Sequence, residues 1–331
     1  IGCRGILPQP RPPMSRVTLR DVAARAGVST AATSQALNDR GNLRPETRER
    51  IKAIAAELGY APNKHAAALR SGRTMSIGFV MAQGSLQDGR RALHRARQLD
   101  ALVRAGAQRG FAVTVLPDTR PDLLAGAQID ALYFPDPADD RAVLREAQAR
   151  GIPVAASDLT VAGGLTIRTG YAAAVRAGLG HLAAAGAERI GFLVDESEVP
   201  RDQQGESAYL AWSAINGRMP LVARIDAGRR RLVPALHELL DAGADAVFAF
   251  CEEGPEIYLH LEQIGTVIPR DLQLVALCTI DYDLNERLGI TQVCLYPERA
   301  ADIAFESLED PDITPGSIDL PFDLVRGSTT R

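Results

Sequence analysis

Cysteine is scarce in this chain. Cys3, Cys251, Cys278 and Cys294 are the four in 331 residues, too few and too scattered for a disulfide scaffold, which suits a cytosolic protein. The five histidines, at 65, 94, 181, 237 and 260, are dispersed as well. None sits at a recognised zinc spacing from a cysteine, and no pair has ligand spacing, so no metal site is expected. No run of about 18 apolar residues exists, which excludes a helical membrane span. Residues 1–13 hold two arginines and four prolines but lack the apolar core of a secretory signal, so residues 1–15 read as a disordered leader. No period of a coiled coil or a solenoid repeats.

Catalytic signatures are missing too. There is no P-loop, no Gly-x-Ser-x-Gly elbow and no His-Glu-x-x-His. Gly178-Leu179-Gly180-His181-Leu182-Ala183 matches a dinucleotide fingerprint by letter. It falls inside a helical pattern, though, not at a strand-to-helix turn. The aspartates from Asp136 to Asp140 are most simply a solvated loop. No enzyme activity and no cofactor are expected.

Charge is unevenly distributed. The net is −4 from 37 basic and 41 acidic residues, yet residues 1–73 hold 13 of the basic and 5 of the acidic, a local net of +8. The remaining 24 basic and 36 acidic residues leave −12 for the rest of the chain. A basic arm fused to an acidic body points to an arm that meets a polyanion.

The arm reads as three short helices. Thr18 to Asp21 has capping-box spacing, Leu19, Val22, Ala23 and Ala26 recur at helical intervals, and Gly27 permits a left-handed stop. Ser29 can cap a second helix that runs to about Asn38. Pro45 suits a first turn, Ile51, Ile54, Ala55 and Leu58 share one face, and Gly59 ends the third helix. Two helices joined through Ala26-Gly27-Val28-Ser29 match a helix-turn-helix. Its second helix would present Thr30, Ala31, Ser34 and Gln35 to base edges in the major groove. Arg16, Arg20, Arg25, Arg40, Arg44, Arg48, Arg50 and Lys52 supply charge for phosphates, which positions a protein without specifying sequence. Residues 16–62 form this domain. Residues 63–73 form a linker in which Ala66 to Leu69 could make a turn or two of marginal helix.

From residue 74 onward short apolar runs alternate with amphipathic helices. Strands are expected at 76–81, 111–116, 129–134, 153–157, 189–194, 221–225, 246–250, 273–277 and 292–295. The fold class is therefore α/β, an N-terminal three-helix unit followed by a two-lobed core of parallel sheets over residues 74–331. Ligands in such sheets bind beyond the strand carboxyl ends.

Specific residues carry a resemblance. The run from Val17 to Ser29, then Leu37-Asn38, Arg44-Pro45-Glu46-Thr47-Arg48, Glu57 to Asn63, and the C-terminal Leu324 to Thr329 resemble the lactose-repressor (LacI/GalR) family of bacterial transcriptional regulators. The resemblance implies a periplasmic-binding-protein-like core and a cytoplasmic, nucleoid-associated homodimer on a pseudopalindromic double-stranded DNA operator. It also implies a small-molecule effector. By it, Thr18, Arg20, Ser29, Asn38 and Arg44 contact the DNA backbone. Asn63, Ala66 and Leu69 belong to a hinge helix in the minor groove, with Leu69 as an apolar wedge.

The chain also departs from the family's pattern. Thr33 stands where the small core usually takes Val, Gln35 replaces a common Arg or His, and Ala67 replaces a frequent Arg. In the body, the usual ligand-binding segment after the first strand reads Met81 to Asp88, with Gln83 the candidate contact. Glu206 stands near the expected arginine, Cys251-Glu252 replace an Asn-Asp pair, and Cys278 replaces an aspartate. A cleft without that arginine and those acceptors should not hold a sugar in the usual way. Three options stay open. Glu206, Tyr209, Trp212, Glu252 and Glu253 bind a cationic or less polar effector; the cleft is degenerate; or Cys251 and Cys278 sense redox state or a metal, against inert packing. A small-molecule binding protein whose helical arm makes protein contacts is the alternative of a different class.

Overall fold

The computed structural model describes residues 17–37, 41–60, 73–82, 89–135, 142–197, 200–226, 228–279, 282–309 and 315–331. The leader, most of the linker, and Asn38, Asn63, Ala66, Leu69 and Gln83 lie outside them. The chain divides into two compact units, residues 1–74 and 75–331.

In the first unit three helices, α1 (Leu19–Ala26), α2 (Thr30–Leu37) and α3 (Pro45–Glu57), enclose a core of Val22, Ala26, Ala36, Ile51 and Ala55. Small side chains dominate that core, so the helices approach closely while little apolar surface is buried.

The second unit holds two six-stranded sheets. The first runs β11-β5-β4-β3-β1-β2, from β1 (Ser76–Met81), β2 (Ala112–Pro117), β3 (Ala131–Phe134), β4 (Val154–Ser157), β5 (Leu165–Arg168) and β11 (Gly316–Asp319). The second runs β12-β10-β9-β8-β6-β7, from β6 (Ile190–Asp195), β7 (Leu221–Ile225), β8 (Ala246–Phe250), β9 (Gln273–Cys278), β10 (Thr291–Leu295) and β12 (Phe322–Val325). Every pairing is parallel except that of β10 with β12. Parallel strands need crossover helices on their faces, which is why the strand interiors are near-continuous apolar runs.

The first sheet carries α4 (Gly89–Gln108), α5 (Pro121–Gly126) and α6 (Ala142–Ala149). The second carries α7 (Tyr171–Ala184), α8 (Pro200–Ile215), α9 (Leu232–Asp241), α10 (Gly254–Gln263) and α11 (Tyr282–Arg287). The chain then returns: α12 (Pro297–Glu309) buries Ala300, Ala301, Ala304, Phe305 and Leu308 against the first sheet. The lobes are thus joined by three crossings, after β5, after β10 and between β11 and β12. Among the described residues no helix is long and apolar enough to cross a membrane.

The dinucleotide look-alike lies within α7. Gly178 is there for packing, since a Cβ on it would come within 2.6 Å of the Phe248 ring. The C-terminal motif has a structural cause too. Gly327 sits so close to the Gly289 backbone that a Cβ would meet its carbonyl at 2.1 Å. The Thr329 hydroxyl accepts from Thr291 N at 2.8 Å and donates to the Leu274 carbonyl at 2.7 Å, tying the tail to β9 and β10.

Candidate nucleic-acid interface and effector crevice

The turn of the first unit is built by local hydrogen bonds. Thr18 and Asp21 form a reciprocal box, Thr18 N donating to Asp21 Oδ2 at 2.7 Å and Asp21 N to Thr18 Oγ1 at 3.4 Å. Those bonds from Thr18 hold the exposed Asp21 carboxyl below its usual range. Gly27 adopts φ +65°, and Val28 N reaches back to the Ala23 carbonyl at 3.1 Å, closing α1. Ser29 Oγ accepts from Ala32 N at 3.1 Å and so starts α2 one residue later. Three residues, Gly27, Val28 and Ser29, therefore join the two helices in a tight turn.

On α2, Thr33 and Ala36 face inward, Thr30, Ala31 and Gln35 are exposed, and Ser34 is half-buried. Short polar side chains thus occupy the outer face of the helix's first turns. The unexpected Thr33 is fully buried, and its hydroxyl donates to the Ser29 carbonyl at 3.0 Å. Back-bonding to the preceding turn lets the small core accept a hydroxyl in place of a methyl. Gln35 lies against the backbone of Gly41, where a Cβ would come within 2.7 Å of the amide.

Thr18, Arg20, Ser29 and Arg44 are exposed. Other basic residues serve the unit itself: Arg50 donates to the Ala26 carbonyl at 3.3 Å, at the end of α1, and Arg48 to the Gly41 carbonyl at 3.0 Å. Lys52 lies 3.7 Å from Glu49.

In the second unit the carboxyl ends of β6, β8 and β9 meet a network of charges. Asp195 ends β6. Arg201, in the first turn of α8, donates to Asp195 at 2.9 Å and to Asp202 at 2.7 Å, and Ser197 also donates to Asp202. Arg229, from the loop after β7, bonds Asp195 through Nη1 and through Nη2 at 3.2 Å, and its Nε lies 2.8 Å from Glu253. Arg229 takes φ +58° to reach them. Glu252 accepts from Thr279 N at 3.1 Å and Thr279 Oγ1 at 2.5 Å. Burial raises the Glu252 carboxyl pKa, while the Thr279 bonds and Arg201 oppose the shift. Beside this network a cavity of about 370 Å³ is lined by Asp195, Glu196, Ser197, Asp202, Gln203, Glu206 and Arg224.

Glu206, Cys251 and Cys278 stand where the family's pattern has other residues, yet the strand ends are not without arginine and aspartate. Arg201 and Arg229, with Asp195 and Asp202, stand at the strand ends, supplied from other positions than those expected. Glu206 reaches the rim of the cavity, but Arg224 pairs with its carboxylate. Tyr209 does not join the crevice. Its hydroxyl donates to the Ile190 carbonyl at 2.8 Å and accepts from Leu221 N at 2.7 Å, at the first residues of β6 and β7. Those are the amino ends of the strands, one helix length from the crevice, and the ring stacks on Phe192 at 4.8 Å. Trp212 is likewise at that end, packed on the core with Arg218 over its ring. One side of α8 runs the length of the sheet, so residues at its start and at its third turn serve opposite edges.

Cys251 and Cys278 sit at the expected strand ends, fully buried. Burial pushes the Cys251 thiol up. A hydrogen bond with Cys294, its in-register neighbour on β10, holds the Cys278 thiol up and the Cys294 thiol down. Two buried thiols so raised are poor nucleophiles at neutral pH, which favours packing over sensing.

Sequence reasoning missed Asp195, Arg201, Asp202 and Arg229. The strand-end rule applied to β6 points to Asp195. Arg229 hides in Arg229-Arg230-Arg231, which by letter is a solvated run.

A sequence profile described as "Bacterial regulatory proteins, lacI family" matches residues 18–63. The regulator PtxS of Pseudomonas plecoglossicida is 28% identical over 333 residues, covering 95% of this chain and 96% of that one. The lactose operon repressor of Escherichia coli is 31% identical over 192 residues, 54% of this chain and 51% of its own length. Among solved structures, the lac repressor dimer bound to operator and the anti-inducer ONPF aligns over 95% of this chain and 99% of that chain. Its TM-score is 0.78 at 21% identity.

Proposed function

The chain belongs to the lacI family of bacterial regulatory proteins and is a DNA-binding transcriptional regulator; from that premise we propose that it is a cytoplasmic repressor. It acts by binding and not by catalysis, as a homodimer on a pseudopalindromic operator, with a small effector in the crevice of the core. The observation that carries the DNA half is the outer face of α2, where Thr30, Ala31 and Gln35 stand exposed behind the Ser29 cap. These side chains, with Ser34, read base edges, while Thr18, Arg20, Ser29 and Arg44 bind phosphates. By the family resemblance, Asn38 is assigned a phosphate contact and Asn63, Ala66 and Leu69 the minor groove, all four lying outside the described residues. A second copy is supported by exposed apolar side chains on the edge strand β2 and on α4, Val115 at 47% and Val103 at 45% exposure.

The effector is cationic. Asp195, Asp202, Glu252 and Glu253 outnumber Arg201 and Arg229 at the strand ends, so a bound amine or guanidinium completes the charge balance that a neutral sugar leaves unmet.

Fluorescence anisotropy against the chain's own upstream DNA tests the first half. Nanomolar, salt-steep binding to a palindrome is expected, and weak binding without sequence preference rejects it. Leu69→Ala is expected to weaken that binding and leave the core dimer intact; unchanged operator affinity rejects the wedge. A thermal-shift screen of residues 75–331 tests the second half. Amines should raise the melting temperature; a response to neutral sugars alone overturns the cationic assignment, and no response at all favours an effector-independent regulator.

A further inference from the structure

The fold brings together two histidines that the sequence holds 23 residues apart. His237 lies on α9 and His260 on α10, and their Nε2 atoms are 3.0 Å apart, with ring centroids at 5.3 Å and planes at 69°. Both rings are half-buried. We infer that His237 and His260 form a binding site for a divalent transition-metal ion, of the zinc, nickel or copper class, on the outer helices of the second lobe.

A neutral imidazole offers one N–H and one lone pair. Two Nε2 atoms in contact either share one N–H···N bond or, when both rings carry their proton on Nδ1, aim two lone pairs at one point. Two Zn–N bonds of about 2.0–2.1 Å at a tetrahedral angle set their nitrogens about 3.4 Å apart. The observed separation is within a few tenths of an ångström of that, so the ion enters with a tautomer shift and little helix movement. Imidazole nitrogen selects borderline ions over magnesium or calcium.

Among the described residues no third histidine, cysteine or carboxylate completes a cluster. Water therefore fills the remaining positions, and the site is a clip of modest affinity, not a structural centre. Its placement gives it consequence. Leu236 and Leu239 of α9 and Ile257 and Leu261 of α10 share one core cluster, so the clip reinforces an existing contact. The helix α9 follows the loop that carries Arg229, and α10 follows Glu253 directly, so the ion ties together the two segments that the Arg229–Glu253 ion pair also joins.

Titration of Zn2+ into the full chain, read by calorimetry and by thermal shift, tests the site. We expect one micromolar event per chain, weakened at least ten-fold in both His237→Gln and His260→Gln, with Mg2+ silent. Equal affinity in the variants, or no binding below millimolar Zn2+, overturns it. Co2+ absorption of the unaltered protein gives a check that needs no variant. Visible d–d bands without a near-ultraviolet thiolate band support histidine ligation, and a thiolate band assigns the ion to Cys251, Cys278 or Cys294 and overturns the proposal.

Discussion

Single side chains decide how closely this chain can be compared with its relatives. Thr33 is buried, and its hydroxyl donates to a carbonyl that already accepts from Thr33 N at 3.0 Å. Removing the hydroxyl therefore leaves no group unsatisfied, and a methyl in its place fills the same volume. Thr33→Val is expected to be neutral or to stabilise the N-terminal unit by up to about 1 kcal/mol in urea unfolding. A loss of more than that would mean that the hydroxyl does more than fill space. Arg201 is the opposite case. Its guanidinium lies between Asp195, Asp202 and Glu252, and those carboxylates raise its pKa against the cost of burial. Arg201→Met leaves buried carboxylates uncompensated, so the core should lose about 3 kcal/mol or more. Glu252 sets the sign of the pH dependence. Its folded pKa is already above the usual carboxylate value of 4.5, and losing the cation raises it further. The folded state then binds that proton more tightly than the unfolded one. The penalty grows as pH rises through the raised value and shrinks on acidification. Urea unfolding of the variant at pH 5 and pH 7.5 measures the difference, and a deficit larger at pH 5 contradicts the assignment.

At the scale of elements, two glycines in one helix make a controlled pair. In α7, a Cβ at Gly178 meets the Phe248 ring at 2.6 Å, whereas one at the exposed Gly180 meets nothing within 4 Å. Alanine improves helix propensity by about 1 kcal/mol at either position. Gly180→Ala should therefore stabilise the core by up to about 1 kcal/mol, while Gly178→Ala should destabilise it by about 1–2 kcal/mol through overpacking. Thermal melts of the two variants moving in the same direction would refute this packing. The same helix explains why the glycine motif misleads by letter but not by context, since no strand precedes it at a turn. Elements whose burial is continuous were legible: β1 and β8 begin and end where the apolar runs do. The strands β5, β11 and β12 were not. Each has four residues, β11 is exposed along its length, and β12 alternates. β11 and β12 are edge strands held by a crossing of the chain, with no apolar run to announce them, whereas β5 lies inside its sheet between β11 and β4 and is simply short. The crevice was half legible for a related reason. Strand ends can be counted from sequence, so Glu252 and Cys278 fall where expected. The arginines come from the start of α8 and from a left-handed residue in a loop, positions fixed only once the sheet is folded.

For the whole molecule, the charge split and the division into two units bear on one experiment. Residues 1–73 carry +8 and the rest −12, and the two compact units divide at Thr74. Among its described residues the first has a core cluster of five mostly small buried side chains, so it should be the less stable of the two. Calorimetry of the full chain is expected to resolve a small, low-temperature transition and a large one. A chain lacking residues 1–74 should keep the large transition within a degree or two and lose DNA binding entirely. Salt separates the same two units by a second route. Operator binding should fall by about 1,000-fold or more between 50 and 200 mM KCl, as expected for six or more phosphate contacts. The upper transition should barely move over that range, because the pairs of Arg201 and Arg229 are largely buried and little screened, and the exposed pairs contribute little to stability. A single merged transition would mean that the units unfold as one. A shallow salt slope would remove the phosphate role from the basic arm, which carries +8 while the remainder of the chain carries −12.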